Sequence, residues 1–434
     1  MIFKHISDKT FEFHIYENFF DGHLPYTSVT GAGRRCSERG TMGRPTIVTM
    51  PGDGIGKIVL PEALRVLDAV GFKGDYVHGD IGWDFWVKEG NALPERTLDL
   101  LAQHKVGLFG AITSKSKEKA AKELSPDLHG KGYVYYSPIV GLRQKFDLDI
   151  CVRPCRSFEG NPLNFIRRKG ASFEEPMVDV VIFRQNTECL YVGVEWTDPP
   201  QTVRTALETH KKMAPFLNTP GKDLAISLRI FTRAATIRII TAAFEHAKVN
   251  GYKSVTLCEK PNVIRETSGM MLEEAQRIQR DYPGIDLREV NVDAMMMWLT
   301  KNPEDYGVLV SGNMFGDIVS DGFAGLVGGL GFACSANIGR DISIFEPTHG
   351  SAPKYQNLSP SIVNPIAMVL SSCMMMDHLG EKEKAERIRA AIAKVVKEGK
   401  VRTYDMLRMA GGQDVVDNGA ASTKAMTDAI IKEL

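Results

Sequence analysis

The stretch Thr46–Val59, TIVTMPGDGIGKIV, decides how the chain begins to fold. Thr46-Ile47-Val48-Thr49-Met50 is a β-prone run. It breaks at Pro51, and Gly52-Asp53-Gly54-Ile55-Gly56 follows, ahead of the helix-like KIVLPEALRVLDAV. Strand, glycine turn and helix in that order open many nucleotide-binding α/β domains. The spacing, G-x-G-x-G, is neither the dinucleotide fingerprint G-x-G-x-x-G nor a P-loop. Two readings of this turn stand side by side: a plain tight turn, and a loop that touches a ligand.

Beyond Pro45 the pattern alternates. HKVGLFGAI, MVDVVIFRQN, DLAISLRIF, KSVTLCEK and YGVLVSGN read as strands, several apolar throughout, as suits strands covered on both faces. TRAATIRIITAAFEHAKVNG, GMMLEEAQRIQRDYPG and EKEKAERIRAAIAKVVKEG read as helices, the first stopping at Asn250-Gly251. Such alternation predicts an α/β architecture. Residues 115–136 are charged and break the pattern, so an inserted loop or short surface helix is expected there.

The 434 residues are 43% hydrophobic and 24% charged, ordinary for a globular protein and enough for two domains. The formal net charge is zero, so no broad attraction to nucleic acid or membrane is expected. Seven cysteines are scattered without C-x-x-C spacing, which reads as reduced thiols in the cytoplasm rather than a disulfide frame or zinc site. The first 42 residues differ in character and lack a secretory signal. They are expected to be an ill-ordered extension, or a start placed too early with Met42 as the true beginning.

Three features carry chemistry. In GNMFGDIVSDGFAGLVGGLG, Asp317 and Asp321 are four apart where a helix should start, so they share one face. The plain reading is a pair of acids favoured by the helix dipole. The sharper one is a hard divalent cation between them, with Asp293 as a third ligand. Arg143, Arg153 and Arg184 lie beside apolar strands, and their forks suit the carboxylates of a polyanionic small substrate; ordinary salt bridges are the alternative. FEPTHGSAPKY, Phe345 to Tyr355, has the composition of a binding loop around His349.

Taken together, PGDGIG, LRQKFDLDICVRP, VIFRQNTECLYVGVEW, SVTLCEKPNVIRETSG, GDIVSDGFAGLVGGLG and THGSAPKY resemble the β-decarboxylating dehydrogenases: isocitrate, isopropylmalate and homoisocitrate dehydrogenases. The resemblance runs from about Thr46 onward. It implies an isopropylmalate dehydrogenase-like two-domain α/β fold, with a central mixed sheet flanked by helices and no Rossmann fold. The implied large, cofactor-side domain is 43–148 plus 328–434; the small domain is 149–188 plus 230–327; 189–229 forms a clasp-like dimer segment.

The resemblance also implies roles. Tyr191 and Lys260 match the catalytic pair, and Ser137, Arg143, Arg153 and Arg184 the substrate binders. Asp293, Asp317 and Asp321 match Mg²⁺ or Mn²⁺ ligands. Thr113, Asn262, His349, Gly350, Lys354, Tyr355, Asn364, Tyr404 and Arg408 match cofactor contacts. Lys260 and Asp293 are expected to serve the site of a second subunit in a homodimer. Tyr191, relayed by Lys260, would protonate the product, if neighbouring charge lowers both pKa values.

Ser137 favours isocitrate over an isopropyl substrate, and Lys354, Tyr355, Tyr404 and Arg408 favour NADP. Ile139, Cys189 and Pro261 depart from the family pattern. The rivals are a homoisocitrate or 3-isopropylmalate dehydrogenase using NAD and, in another class, a non-catalytic regulatory subunit.

Overall fold

A computed structural model describes residues 44–434, so the expectation for residues 1–42 lies outside the described residues. The chain opens with β1 (Thr46–Gly52), α1 (Gly56–Ala69), β2 (Asp75–His78), α2 (Trp83–Glu89), α3 (Glu95–His104) and β3 (Val106–Ala111). Next come α4 (Lys117–Lys122), α5 (Pro138–Lys145), β4 (Ile150–Arg156), β5 (Arg167–Lys169), β6 (Ser172–Glu174) and β7 (Asp179–Gln185). They are followed by β8 (Glu195–Thr197), α6 (Gln201–Glu208), β9 (Ala225–Ser227), α7 (Arg233–Val249), β10 (Ser254–Glu259) and α8 (Thr267–Gln279). Then come β11 (Asp286–Asn291), α9 (Val292–Trp298), β12 (Val308–Ser311), α10 (Asn313–Leu326), β13 (Cys334–Ile338) and β14 (Ser343–Pro347). The last helices are α11 (Ile366–His378), α12 (Lys382–Glu398) and α13 (Thr423–Lys432).

Ten strands form one mixed sheet in the order β11-β10-β12-β7-β4-β13-β14-β3-β1-β2. Both outer parts are parallel, but β4 runs antiparallel to β7 and to β13, and β13 antiparallel to β14. That centre is foreign to a doubly wound dinucleotide fold. Five of the six expected strands lie in this sheet. DLAISLRIF does not: β9 is three residues long and pairs only with β8, in a separate two-stranded ribbon. Its residues Ala225 and Ser227 are exposed, so no sheet face drew it in.

Side-chain alternation sorts the strands into two faces. Val152, Val181, Phe183, Ala336 and Phe345 point into one large core, closed by α1, α7, α8, α11, α12 and α13. α7 begins at Thr232, whose side chain accepts from Ala235 N, and stops before Gly251 at φ 72°. α11 is buried on every side, so its low amphipathicity reflects a central position. On the other face two smaller cores form, one under α9 and α10 and one under α3 and α5. Between them the middle strands present polar side chains. Among the described residues no helix is long and apolar enough to cross a membrane.

The segment 115–136 holds one short helix, α4, as expected, but it is more than a surface insert. Ala120, Leu124, Leu128 and Tyr135 are buried against Trp86.

Candidate active site

The glycine turn after β1 is tied to the loop after β14. Gly54, at φ +52°, would place a Cβ 2.0 Å from the Ser351 carbonyl oxygen, so only glycine fits. Ile55 N donates to that same oxygen at 2.8 Å. The Asp53 carboxylate is buried and accepts from Trp83 N at 2.7 Å and Thr113 N at 2.8 Å. Burial raises its pKa in spite of these donors. Thr113 Oγ1 and Ser351 Oγ share a hydrogen bond of 2.6 Å. The turn thus builds one wall of a cleft through its aspartate and its bare backbone.

The cleft floor comes from strand parity. Arg153 on β4, Arg184 on β7, Asn337 on β13 and Glu346 on β14 occupy the face opposite the large core, on four adjacent strands. α10 lies across β7 and β4, and Gly316 leaves room for the Arg184 stem: a Cβ there would sit 2.9 Å from it. This brings Asp317 and Asp321 over the arginines.

Arg153 Nη1 donates to Asp317 Oδ1 at 3.0 Å, Asp321 Oδ1 at 3.2 Å and Ser320 Oγ at 2.8 Å. Arg184 also pairs with Asp317 Oδ1, and its Nε and Nη2 donate to Asn313 Oδ1 at 3.0 and 2.7 Å. Arg143, in the last turn of α5, donates to Glu346 Oε1 at 3.1 Å, and Asn337 Nδ2 donates to the same oxygen at 2.7 Å. Tyr191 donates its hydroxyl to Asp317 Oδ2 at 2.7 Å, and the Arg184 guanidinium lies 5.2 Å from its ring centre.

The charges answer one another. Burial opposes ionisation of Asp317, yet Arg184, Arg153 and the Tyr191 hydroxyl hold it below the usual carboxylate range. Burial, with help from Asp317, pushes Asp321 up. Burial and then Arg153 and Arg143 bring Arg184 down to about 10. Tyr191 departs from expectation: burial and its bond to Asp317 raise its pKa, and Arg184 and Arg143 do not reverse this. Among the described residues Asp321 Oδ2 has no hydrogen-bond partner. Two carboxylates one helical turn apart, one of them resisting ionisation, are a donor set that a hard cation fits.

The other expected residues divide. Ser137 stands at the N-cap position of α5 in extended conformation, half-buried, with no side-chain cap hydrogen bond. Lys260 pairs with Asp293, at the start of α9, rather than with Tyr191. Lys260 keeps the Asp293 pKa below the usual range. No group of three metal-ligating side chains occurs among the described residues, so one chain does not unite Asp293 with Asp317 and Asp321. Asn262 follows β10, while the His349–Asn364 loop follows β14. Five inter-strand steps separate these strands, roughly 24 Å across the sheet.

On the loop side, His349 Nδ1 donates to the Gly350 carbonyl at 3.0 Å. Asn364 Nδ2 donates to Asp405 Oδ2 at 3.1 Å. Lys354 Nζ stands 4.6 Å over the Tyr355 ring, and the Tyr355 and Tyr404 rings are 5.5 Å apart. Arg408 is turned elsewhere: at φ +56° it donates to the Pro162 carbonyl at 3.2 Å. Glu346, Asn337, Asn313 and Ser351 were not singled out by the sequence. A lone acid inside the apolar run SIFEP was the available signal for Glu346.

The family model for isocitrate/isopropylmalate dehydrogenase matches residues 46–430. The chain is 38% identical over 388 residues to Protein DlpA of Legionella pneumophila, covering 89% of this chain and 58% of that protein, so it spans well under two thirds of that relative's length. It is 40% identical over 349 residues to homoisocitrate dehydrogenase of Methanocaldococcus jannaschii, covering 80% of this chain and 88% of that one. The crystal structure of isocitrate dehydrogenase from Methylococcus capsulatus superposes with a TM-score of 0.73 at 33% identity, covering 89% of this chain and 98% of that one.

Proposed function

Because this chain belongs to the isocitrate/isopropylmalate dehydrogenase family, we propose that it oxidises and decarboxylates isocitrate to 2-oxoglutarate and CO₂, with NADP as hydride acceptor and Mg²⁺ or Mn²⁺ as metal. The observation that carries this reading is the gathering of Arg143, Arg153 and Arg184 around the Asp317 carboxylate. Three guanidinium groups at one cleft floor suit a small acid with several carboxylates. Asp317 and Asp321 would hold the metal, with Asp293 of a second copy as third ligand. A metal bound there would supply Lewis acidity at the substrate's hydroxyl oxygen, and a bound nicotinamide would supply the hydride acceptor.

The chain's own residues do the rest. The arginine forks orient the carboxylates. Ser137 offers its hydroxyl to the terminal carboxylate. Tyr191 holds its proton at Asp317 Oδ2 and supplies it to the substrate carbon when CO₂ leaves. Lys260 of one copy reaches the site of the other in a homodimer joined by the 189–229 clasp, each copy having a large domain (43–148 and 328–434) and a small one (149–188 and 230–327). Lys354, Tyr355 and Tyr404 bind the 2′-phosphate. The six cysteines among the described residues, all free and buried, support a cytoplasmic setting.

A second reading, homoisocitrate with NAD, is favoured by the apolar Ile139 in the first turn of α5 and by the Methanocaldococcus relative's name. Measuring kcat/KM for isocitrate, homoisocitrate and 3-isopropylmalate, each with NADP and NAD and added Mg²⁺, tests both. The first reading expects isocitrate with NADP to lead by at least about tenfold, or ~1.4 kcal/mol. A homoisocitrate lead selects the second. No turnover with any pair sinks both and favours a regulatory subunit.

A further inference from the structure

The inserted segment 115–136 packs on α2 and reaches Thr113, beside the glycine turn, through Tyr135. Ser116 caps α4 by accepting from Lys119 N at 3.4 Å. Trp86 Nε1 donates to the Ala120 carbonyl at 2.9 Å, and Trp83 Nε1 to Glu123 Oε2 at 2.7 Å. Lys115 Nζ meets both Glu123 oxygens at 2.7 and 2.6 Å. The Tyr135 ring lies 5.1 Å from Trp83 and 5.3 Å from Trp86. The segment is a small core of its own, and Tyr135 is its point of contact with the cleft. Tyr135 Oη donates to the Thr113 carbonyl at 2.7 Å.

Thr113 is thereby fixed at three atoms. Its amide is held by Asp53, its carbonyl by Tyr135 and its hydroxyl by Ser351. The Thr113–Ser351 pair has two hydroxyl hydrogens, and one suffices to join them. The second is left for an acceptor on a ligand.

We propose that Tyr135 is a positioning residue for the nicotinamide cofactor: anchored in the 115–136 core, its hydroxyl sets Thr113 so that the Thr113–Ser351 pair presents its spare donor to the cofactor. The inference rests on the cofactor reading of Thr113 given above. Tyr135→Phe keeps the ring between the two tryptophans and removes only the hydroxyl. Titration calorimetry with NADPH and, separately, with isocitrate plus Mg²⁺, together with a thermal melt, reads the effect. Cofactor Kd should rise roughly five- to twentyfold, the loss of one buried hydrogen bond, with isocitrate Kd within about twofold of wild type on the same scale. Glu123→Gln, which disturbs the segment but spares the Tyr135 hydroxyl, should leave both within that margin. An unchanged cofactor Kd in Tyr135→Phe overturns the inference. So does an equal weakening of both ligands, which marks a general loss of structure. If the wild-type chain binds neither NADPH nor NADH, the cofactor reading itself fails and takes this inference with it.

Discussion

Tyr191 Oη donates to Oδ2 of Asp317 at 2.7 Å, while Oδ1 of the same carboxylate is held by Arg153 and Arg184. One side chain therefore links the proposed proton donor, the proposed substrate binders and the proposed metal site. Its neighbour Asp321 pairs with Arg153 alone among the described basic side chains and is half in solvent, its side chain 58% exposed. This asymmetry separates what each aspartate does for the fold from what it does for the reaction.

Asp317→Asn and Asp321→Asn should both abolish metal-stimulated turnover, by about a thousandfold or more if the metal supplies several kcal/mol. Their stabilities should differ. Asp317→Asn strips the counter-charge from two buried arginines, a loss of about 2–4 kcal/mol. Asp321→Asn removes a weakly paired, half-exposed charge and should stay within about 0.5 kcal/mol of wild type. Urea unfolding of both variants, beside Mg²⁺ titrations of activity, checks this. Full activity after EDTA treatment would end the metal reading.

Lys260 is bound to Asp293 and makes no contact with Tyr191 within one chain. If each active site is shared, a Lys260→Met chain mixed with an Arg153→Ala chain forms hybrids with one complete site. Random exchange should restore about a quarter of wild-type activity, since half the dimers are hybrids and half their sites are whole. Absence of recovery after verified exchange places the whole site in one chain.

Lys354 stands over Tyr355, whereas Arg408 is spent on the Pro162 carbonyl. Lys354→Asp with Tyr355→Ile should cut the NADP-over-NAD ratio of kcat/KM by roughly 10²- to 10⁴-fold. Arg408→Ala should change that ratio by no more than about threefold, under 1 kcal/mol. An Arg408 effect as large as that of Lys354 would mean that its side chain leaves Pro162 when cofactor binds.

His246, on α7, is 1% exposed, and burial takes its pKa from 6.5 to about 3. Its stabilising effect is present above the unfolded pKa. It is lost as pH falls, because the unfolded chain binds a proton that the folded chain refuses. From pH 7 to pH 5 this amounts to about 2 kcal/mol. His246→Gln should flatten the dependence by that amount in urea unfolding at the two pH values. Parallel pH curves for variant and wild type would show that the histidine is protonated without penalty.

Much of the molecule was legible before any tertiary contact was known. Apolar runs marked β3, β7, β10 and β12, and Asn250-Gly251 marked the stop of α7, because these signals are local and backbone geometry enforces them within a few residues. The spacing of Asp317 and Asp321 already placed them on one face of α10. What the sequence could not carry is adjacency. β4 and β7 lie far apart in sequence, and their antiparallel pairing brings Arg153 and Arg184 to the same face beneath Asp317. The non-local pairings of β13 with β4 and of β14 with β3 likewise deliver Glu346 to Arg143. DLAISLRIF had the right pattern for a core strand, yet it paired with β8 in a separate ribbon and not with the ten-stranded sheet. The charged segment 115–136 acquired a core because Trp83 and Trp86, some thirty to fifty residues earlier, supply the apolar surface it covers. Local propensity fixed the pieces; burial of surface between distant pieces decided which side chains meet.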